Sequence, residues 1–503
     1  MGESKLAGSM NLGDLLRARA TENPEKTALF CARRTMSYRA LDETSTRLAE
    51  WFLAQGLRGG ERVAVHWPNS VEVVQIYFAL FKAGLIAVAV NVQLKPAEIA
   101  YILDHSKAKM CFSEPALAAE AEQAGARCPI LTAIPQLRQL RAGSRMPSVD
   151  PDQPAILLYT SGTTAHPKGV THTHSSLLRT AEIMARDLMD ASDVVAPMTQ
   201  LMHAAALNVC LMPCIYLGAS MALLPGFCPA AVLDAIEQFR CTVLFGLPTL
   251  MQLVVEEQAR KPRVVGSLRT AMSGGDSVPI ALQDRFKMHF GIPLQEIYGM
   301  TETLPITLIP KDAPRPGSMG IAKEGFELRI VDNAGQDVCE NETGEVVVRS
   351  GANCVGYWND PAATEAALGD GWLRTGDLAS RDDEGYYWFK GRKKQIIVRA
   401  GSNISPQEVE EALYLHPAVL EAGAVGAPDT LYGERVVAFV VVRSGQAVDE
   451  EALRQFARQR LADYKVPERI MFLQELPKGP SGKVQRRTLK EMLAASPAAV
   501  AAC

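Results

Sequence analysis

Apolar and polar positions in the first part of the chain switch between helical and strand spacing. Residues 40–57 place apolar side chains three or four positions apart, which predicts a helix that ends near Gly56. Two short apolar runs, 62–66 and 85–90, have the length of strands, and between them residues 71–83 predict a buried helix. A strand, a helix and a strand in this order are typical of a parallel sheet with helices on both faces.

The same pattern returns between residues 230 and 300, where glycines follow the predicted strands. Strands are predicted over 241–245, 269–272 and 296–298, and helices over 230–239 and 282–290. Gly291 stands where a helix commonly ends, Gly274 and Gly275 follow the second strand, and Gly299 follows the third. Because parallel strands end at one edge of a sheet, these glycine turns predict a ligand site at that edge.

After about residue 340 the predicted elements change to short strands. Gly391–Lys394 is a compact basic turn, and Ser405–Glu408 has the pattern of a capping box with proline at the first helical position. We expect a helix from there to about Leu415, a strand over 436–442 and an amphipathic helix over 450–461.

Together these elements predict an α/β protein with two domains. A large N-terminal domain of stacked α/β sheets is expected over residues 1–391, a hinge over 392–395, and a smaller α+β C-terminal domain over 396–503.

Charge and cysteine content exclude several classes of function. The 503 residues carry a net charge of -4, so the basic excess of a nucleic-acid-binding protein is absent. The 10 cysteines include no CxxC pair, and Cys210 and Cys214 lie in an apolar stretch, as core cysteines do. Free cysteines fit a reducing compartment, and we therefore expect a cytoplasmic protein.

Two features argue against a membrane or secreted protein. The first residues lack the apolar segment of a signal peptide. Residues 204–224 carry no charge, but Pro213 and Gly218 interrupt them, which favours a buried helix and a buried strand over a transmembrane segment.

The segment Thr160–Gly169 is the first candidate for chemistry. It combines four hydroxyl side chains, two glycines and Lys168 in one loop after a predicted strand. Backbone N–H groups, hydroxyls and an ammonium in such a loop can hold phosphate oxygens. The spacing is not that of a Walker A loop, and a solvated polar turn is the alternative interpretation.

This loop resembles the signature of the acyl-adenylate-forming enzymes, which include acyl-CoA synthetases, adenylation domains of peptide synthetases and beetle luciferases. Further segments match this family in its order along nearly the whole chain: Ser273–Asp276, Tyr298–Glu302, Pro316–Gly320, Trp372–Asp377, Gly391–Lys394, Gly401–Ile404, Gly433–Arg435 and Pro480–Lys483.

The resemblance implies an activity in two halves and a mobile C-terminal domain that rotates between them. A carboxylic acid attacks ATP to give an acyl-adenylate and pyrophosphate, and the thiol of coenzyme A then displaces AMP. The resemblance also implies contacts to ATP or CoA for a set of residues: Thr160, Ser161, Gly162, Thr163, Thr164, Lys168, Gly275, Asp276, Tyr298, Gly299, Thr301, Asp377, Arg392, Gly401 and Lys483.

Three residues are candidates for catalysis. Lys483 matches the lysine that lies between the carboxylate and the α-phosphate, where a cation offsets roughly 1–4 kcal/mol of repulsion. Glu302, with Thr163, matches the position that holds Mg²⁺ beside the phosphates. His203 is expected to orient the substrate carboxylate or to line the acyl pocket. The alternatives are a surface lysine, a glutamate at a helix start and a core histidine.

The expected acyl pocket is lined by small or apolar residues. Its candidate residues are Ala204, Ala205, Ala206, Phe245, Gly246, Gly274, Met300, Leu304 and Ile306. They predict an acid with an uncharged aliphatic or aromatic acyl group. The lack of an aspartate beside His203 disfavours an amino acid as the substrate. The chain departs from the family pattern at Ala165, Met202 and Gly479, which affects the expected acyl preference.

Four alternatives about activity and assembly stay open from the sequence. The acceptor is either CoA or the thiol of a separate carrier protein, a luciferase-like oxidoreductase would share every motif, and a non-catalytic adenylate-binding protein is disfavoured by the intact charged set. A homodimer is compatible with the sequence.

Overall fold

The protein is described by a computed structural model that covers residues 10–495 except 33, 126, 136–145, 161–166, 401 and 480–482. Ser161, Gly162, Thr163, Thr164 and Gly401, together with Ala165, lie outside the described residues.

Helices are spread along the whole chain, and most of them follow strands. In chain order they are α1 (Leu12–Glu22), α2 (Tyr38–Ala54), α3 (Val71–Ala83), α4 (Pro96–Ser106), α5 (Ala118–Gln123), α6 (His174–Asp187), α7 (Ala204–Ala206), α8 (Met212–Leu217), α9 (Pro229–Phe239), α10 (Pro248–Arg260), α11 (Ile280–Phe290), α12 (Pro361–Leu368), α13 (Pro406–Tyr414), α14 (Glu450–Arg458) and α15 (Arg486–Ala495).

Strands form the frame between these helices. In chain order they are β1 (Thr27–Cys31), β2 (Arg34–Ser37), β3 (Arg62–His66), β4 (Ile86–Ala89), β5 (Met110–Ser113), β6 (Ile130–Leu131), β7 (Pro154–Thr160), β8 (Lys168–Thr173), β9 (Val194–Pro197), β10 (Ser220–Leu223), β11 (Val243–Gly246), β12 (Thr270–Gly274), β13 (Leu294–Met300), β14 (Thr303–Leu308), β15 (Ile321–Ala322), β16 (Glu327–Val331), β17 (Gly344–Arg349), β18 (Gly356–Tyr357), β19 (Leu373–Arg381), β20 (Tyr387–Arg392), β21 (Ile397–Arg399), β22 (Ser402–Ile404), β23 (Val419–Asp429), β24 (Gly433–Val442) and β25 (Arg469–Phe472).

Two large sheets carry the first part of the chain. The nine-stranded sheet has the order β15-β14-β13-β12-β11-β9-β10-β1-β2, and the seven-stranded sheet has the order β18-β8-β7-β4-β3-β5-β6. Their central strands are parallel. Antiparallel strands lie at both edges of the nine-stranded sheet and at the β18-β8 edge of the seven-stranded sheet, whose other edge strand, β6, is parallel. The largest apolar core contains side chains of both sheets and of α1, α2, α3, α6 and α8. Further cores join the nine-stranded sheet to α9, α10 and α11 and the seven-stranded sheet to α4, as expected for stacked α/β sheets.

Two smaller sheets follow. Strands β16, β17, β19 and β20 form an antiparallel sheet, and β21 to β25 form a five-stranded sheet that packs against α13, α14 and α15. Arg392 ends the first of these sheets and Ile397 begins the second, so the basic segment at Gly391–Lys394 is partly strand rather than wholly a turn.

Two details of the C-terminal region differ from the sequence prediction. Ser405 precedes α13 but does not cap it, because its hydroxyl donates to Gln407 Oε1 at 3.1 Å. Glu408 does not complete a capping box either, since its carboxylate accepts from Lys465 Nζ at 2.6 Å. The helix predicted over 450–461 ends at Arg458.

No helix in the described ranges is both long and apolar enough to cross a membrane. The charge-free residues 204–224 instead form α7, a π-helical turn (Leu207–Leu211), α8 and the buried strand β10. The nine cysteines of the described part are free, and Cys210 and Cys214 are buried, as predicted.

Candidate active site

The glycines after β12 shape one side of the site. Gly274 pairs with Ile297 of β13, and a methyl group on Gly274 would overlap the Ile297 carbonyl oxygen. Gly275 has a φ of +88°, which other residues rarely adopt. A methyl group there would lie 3.0 Å from Leu247 and 3.7 Å from Lys483 Cε. The glycine turn therefore allows the lysine of the C-terminal region to approach the strand ends.

Lys483 lies among charged residues from several segments of the chain. It keeps accessible surface in the cleft between the two regions, although protein atoms surround it. Partial removal from water, and next the charge of Arg392, lower the pKa of Lys483, while Asp276, Asp377 and Glu302 act in the opposite direction. The cation is thus held where three carboxylates balance one guanidinium.

His203 faces the same cation. It precedes α7 without capping it. Burial, and then the positive charge of Lys483, lower the pKa of His203 to about 4. The imidazole is therefore neutral at pH 7 and can form a hydrogen bond to a carboxylate beside Lys483.

Asp377 is fixed by two of the other predicted residues. The Tyr298 hydroxyl donates to Asp377 Oδ2 at 2.8 Å, and Arg392 Nε lies 2.9 Å from Oδ1. Asp377 is 1% exposed, and its Oδ1 lacks a partner with hydrogen-bond geometry among the described residues. The charge of Asp377 in turn raises the pKa of Arg392. The Asp377 side chain is held in position, and its Oδ1 is able to accept a further hydrogen bond.

Glu302 belongs to a second buried group. Tyr357 OH donates to Glu302 Oε1 at 2.8 Å, and Lys168 Nζ lies 4.7 Å from the centre of the Tyr357 ring. Burial raises the pKa of Glu302, and the hydrogen bond from Tyr357 opposes that shift. The His172 side chain donates through Nε2 to the Thr301 carbonyl at 2.8 Å, which holds the segment before Glu302.

Two predicted phosphate-binding residues lie at the strand ends of a hairpin. Thr160 is the last residue of β7 and pairs with Lys168, the first residue of β8. Lys168 is thus part of a strand rather than of the loop, and its ammonium points to the Tyr357 ring. The loop that joins the two lies outside the described residues, and so does Gly401.

Sequence reasoning missed Tyr357 and His172. Tyr357 is 55 positions from Glu302, and no local pattern connects the two. His172 lies on β8, 129 positions from Thr301. Only pairing of β8 with β18 brings Tyr357 beside the candidate phosphate residues.

The side chains of the site offer few ligands for a metal ion. Within the described ranges, no group of three His, Cys, Asp or Glu side chains could hold one. Glu302 alone is a single buried carboxylate whose Oε2 is not bonded to Tyr357. One carboxylate fits Mg²⁺ that takes its other ligands from phosphates and water, and does not fit a metal held by protein alone.

The predicted acyl-pocket residues are largely buried. Ala206 and Ile306 are fully buried, Phe245 is 2% exposed and Leu304 is 8% exposed. A methyl group on Gly299 would lie 2.5 Å from Leu304 Cβ, so this glycine permits the turn between β13 and β14. These side chains are apolar and buried, and their role as the lining of an acyl pocket stays a prediction.

Comparisons with known proteins identify the family. The family model "AMP-binding enzyme" matches residues 16–358, and the model of its C-terminal domain matches residues 408–483. The chain is 34% identical to sulfoacetate–CoA ligase of Cupriavidus necator, over 95% of this chain and 97% of the relative. It is 36% identical to feruloyl-CoA synthase of an Amycolatopsis species, over 95% and 98%.

A solved structure supports the same assignment. The anthranilate CoA ligase AuaEII in complex with anthranoyl-AMP has a TM-score of 0.93 to this chain at 29% identity, and the match covers 99% of this chain and 100% of that one. These comparisons confirm the predicted resemblance, the α/β fold with a large N-terminal and a smaller C-terminal domain, and the predicted class of enzyme, an AMP-forming acid–thiol ligase. The chain belongs to the family of AMP-binding enzymes.

Proposed function

We propose that this protein uses ATP to activate a carboxylic acid with an uncharged aliphatic or aromatic acyl group, and that it transfers this acyl group to coenzyme A. The observation that carries the proposal is the position of Lys483, beside Gly275 and within electrostatic range of Arg392, Asp377 and Glu302. Residues from five separate segments of the chain thereby come together, and two of them, Gly275 and Glu302, follow the parallel strands β12 and β13.

In the first half-reaction, a carboxylate oxygen attacks the α-phosphorus of ATP. A new oxygen–phosphorus bond forms, and the bond to pyrophosphate breaks. Lys483 lies between the two anions and reduces their repulsion, while neutral His203 orients the carboxylate. We assign the ribose to Asp377, which Tyr298 and Arg392 hold in position.

The phosphates are assigned to a group of backbone and side-chain donors. Thr160, Lys168 and Thr301 are its described members, and Ser161, Gly162, Thr163 and Thr164 complete it. When bound, Mg²⁺ supplies positive charge that offsets repulsion among the phosphates, and Glu302 and Thr163 would hold it. The hydrogen bond from Tyr357 fixes one oxygen of Glu302 and leaves the other for this task.

In the second half-reaction, the sulfur of CoA attacks the acyl carbon. A carbon–sulfur bond forms and the bond to AMP breaks. We assign the approach of the thiol to the segment at Gly401. Passage from the first half-reaction to the second requires the C-terminal domain, residues 396–503, to rotate against residues 1–391 about a hinge at 392–395. The short connection between β20 and β21 supports this hinge.

The choice of acid rests on the lining of the pocket. The acids in the names of the relatives range from sulfoacetate to ferulate, so similarity alone does not select one. Phe245, Leu304 and Ile306 are apolar and buried. An uncharged acyl group would leave no charge unpaired against them.

Location and assembly are proposed from the sequence. Free cysteines support a cytoplasmic protein. A homodimer stays a prediction that gel filtration with light scattering would test.

The test is a pyrophosphate-release screen over short, medium, long, aromatic and sulfonated acids, with CoA or a phosphopantetheinylated carrier protein as acceptor. We expect pyrophosphate release that depends on an acid with an uncharged acyl group, and formation of a thioester with CoA. Preference for the sulfonated acid would contradict the proposed pocket, and transfer only to the carrier would contradict CoA as acceptor.

A further inference from the structure

The two regions of the chain touch at a polar contact outside the cluster around Lys483. Arg443, which follows β24, donates through Nη1 to Glu256 Oε1 of α10 at 2.6 Å. Glu256 belongs to the N-terminal region and Arg443 to the C-terminal region. The Arg443 backbone is itself fixed, because its N–H donates to the Ala418 carbonyl at 2.8 Å.

A second contact lies on the neighbouring helix. The Glu411 carboxylate of α13 accepts from the backbone N–H of Ile280, the first residue of α11. The N-terminus of a helix carries partial positive charge, which only partly offsets the rise in the pKa of Glu411 that burial and Glu410 cause. Helices α10 and α11 directly follow β11 and β12, whose ends form the site. Both contacts therefore act on the elements next to Gly275 and Lys483.

Glu256 has two arginine neighbours rather than one. Arg285 Nη1 of α11 lies 3.7 Å from the same oxygen that Arg443 binds. This Nη1 is buried and has no hydrogen-bond partner among the described residues. A buried donor without a hydrogen bond costs free energy, so Arg285, already within ion-pair distance of Glu256, is poised to form a hydrogen bond with it when Arg443 leaves.

We infer that Arg443 and Glu256 form a latch that holds the two domains in the acyl-adenylate-forming arrangement, and that Arg285 takes over Glu256 when the latch opens. The inference rests on the proposed function, since it concerns the alternation between its two half-reactions. Arg443, Glu256 and Arg285 are positioning residues, because none of them touches a reacting atom.

The latch between Arg443 and Glu256 is of only moderate strength. The side chains of Arg443 and Glu256 are 25% and 34% exposed, and partly exposed ion pairs contribute little individually. A replacement partner inside the N-terminal domain lowers the cost of opening further. Such a contact can bias the arrangement of the domains without preventing the rotation that each turnover needs.

The test uses Arg443→Ala in the full-length enzyme, with the two half-reactions measured separately. Acid-dependent pyrophosphate release reports the first, and conversion of supplied acyl-adenylate with CoA reports the second. We expect the first to slow about two- to fivefold and the second to stay equal or to accelerate. Thermal unfolding should be unchanged, since Arg285 replaces the lost partner.

Two controls make the result specific. Arg443→Lys keeps the charge and should restore most of the first half-reaction. Arg487→Ala removes an arginine of α15 that is 81% exposed and that, within the part of the chain the structure describes, bonds to Glu491 of its own helix at 2.8 Å. This substitution should change neither rate. Added NaCl should slow the first half-reaction of the wild type but not that of Arg443→Ala, because salt screens the pair.

Equal loss of both half-reactions in Arg443→Ala, or rates that match Arg487→Ala, would overturn the latch while leaving the proposed function intact. A wild type without acid-dependent pyrophosphate release would overturn the proposed function and the latch together.

Discussion

The Tyr357 hydroxyl donates a hydrogen bond to the Glu302 carboxylate at 2.8 Å, and Glu302 is 7% exposed. A buried carboxylate beside the phosphates of ATP would be repelled by them or would take up a proton. The bond from Tyr357 counters protonation, because it favours the ionised form. The tyrosine thus opposes the rise in the pKa of Glu302 that burial causes, and it favours the ionised form that a cation requires.

Tyr357→Phe tests this relationship. Loss of a hydrogen bond to a buried charge costs about 1.5–3 kcal/mol, so kcat/KM for ATP should fall by roughly tenfold or more, with a higher Mg²⁺ requirement. Initial rates of pyrophosphate release at varied ATP and Mg²⁺ give both values. Tyr386→Phe is a matched control, since it loses a 2.6 Å hydrogen bond to the Ala313 carbonyl away from the site. An unchanged Mg²⁺ requirement would separate Tyr357 from the proposed metal.

Asp377→Asn should weaken nucleotide binding more than it weakens the fold. The substitution leaves Arg392 without its counter-ion and gives the ribose a neutral partner. We expect AMP affinity to fall about tenfold or more, as measured by titration calorimetry. Asp370→Asn, which removes an exposed partner of Arg374, should bind AMP as the wild type does. Equal affinities for all three proteins would exclude Asp377 from the nucleotide site.

Glu411 predicts a pH dependence of the domain arrangement. Burial, and next the charge of Glu410, raise the pKa of Glu411 to about 7 in the arrangement described here. An acid whose pKa is raised on closing favours closure when protonated, so this arrangement should lose stability as the pH rises from about 4.5 to about 7.

Glu411→Gln should remove that dependence. The ratio of its pyrophosphate-release rate to that of the wild type should grow between pH 5.5 and 7.5. Only in the wild type does closure of the domains bury a carboxyl group that becomes ionised over this range. Single-turnover release measured at both pH values gives the ratio. A constant ratio would mean that Glu411 does not titrate with the domain arrangement.

Gly274→Ala should destabilise the nine-stranded sheet. The added methyl group would overlap the backbone of Ile297, which cannot rotate away as a side chain can. A loss of about 3 kcal/mol in the free energy of unfolding is expected in chemical denaturation. Gly226→Ala is the control, because the methyl group there would meet open space. Similar losses for both substitutions would contradict the close strand approach.

The apolar pattern predicted those elements that are buried on every side. The strand at 62–66 and the helix at 71–83 have the predicted bounds, because the core leaves one arrangement for their side chains. Local patterns failed where a distant partner competed. Glu408 was expected to cap its own helix, but Lys465, 57 positions away, binds it instead.

The candidate site likewise contains residues that the sequence predicted and residues that it did not. Glycine turns and the charged residues of the motifs could be named from the sequence, since each lies within a short segment. Tyr357 could not, because only strand pairing connects it to Glu302. The contact of Arg443 with Glu256, beside Arg285, was equally hidden from the sequence, since it depends on how two domains meet.

The central claim is that Lys483 serves the first half-reaction alone, and Lys483→Ala tests it most directly. Acid-dependent pyrophosphate release should fall by a large factor, while CoA should still convert supplied acyl-adenylate at nearly the wild-type rate. Equal loss of both half-reactions, or unchanged pyrophosphate release, would contradict the proposed role of the lysine beside Gly275.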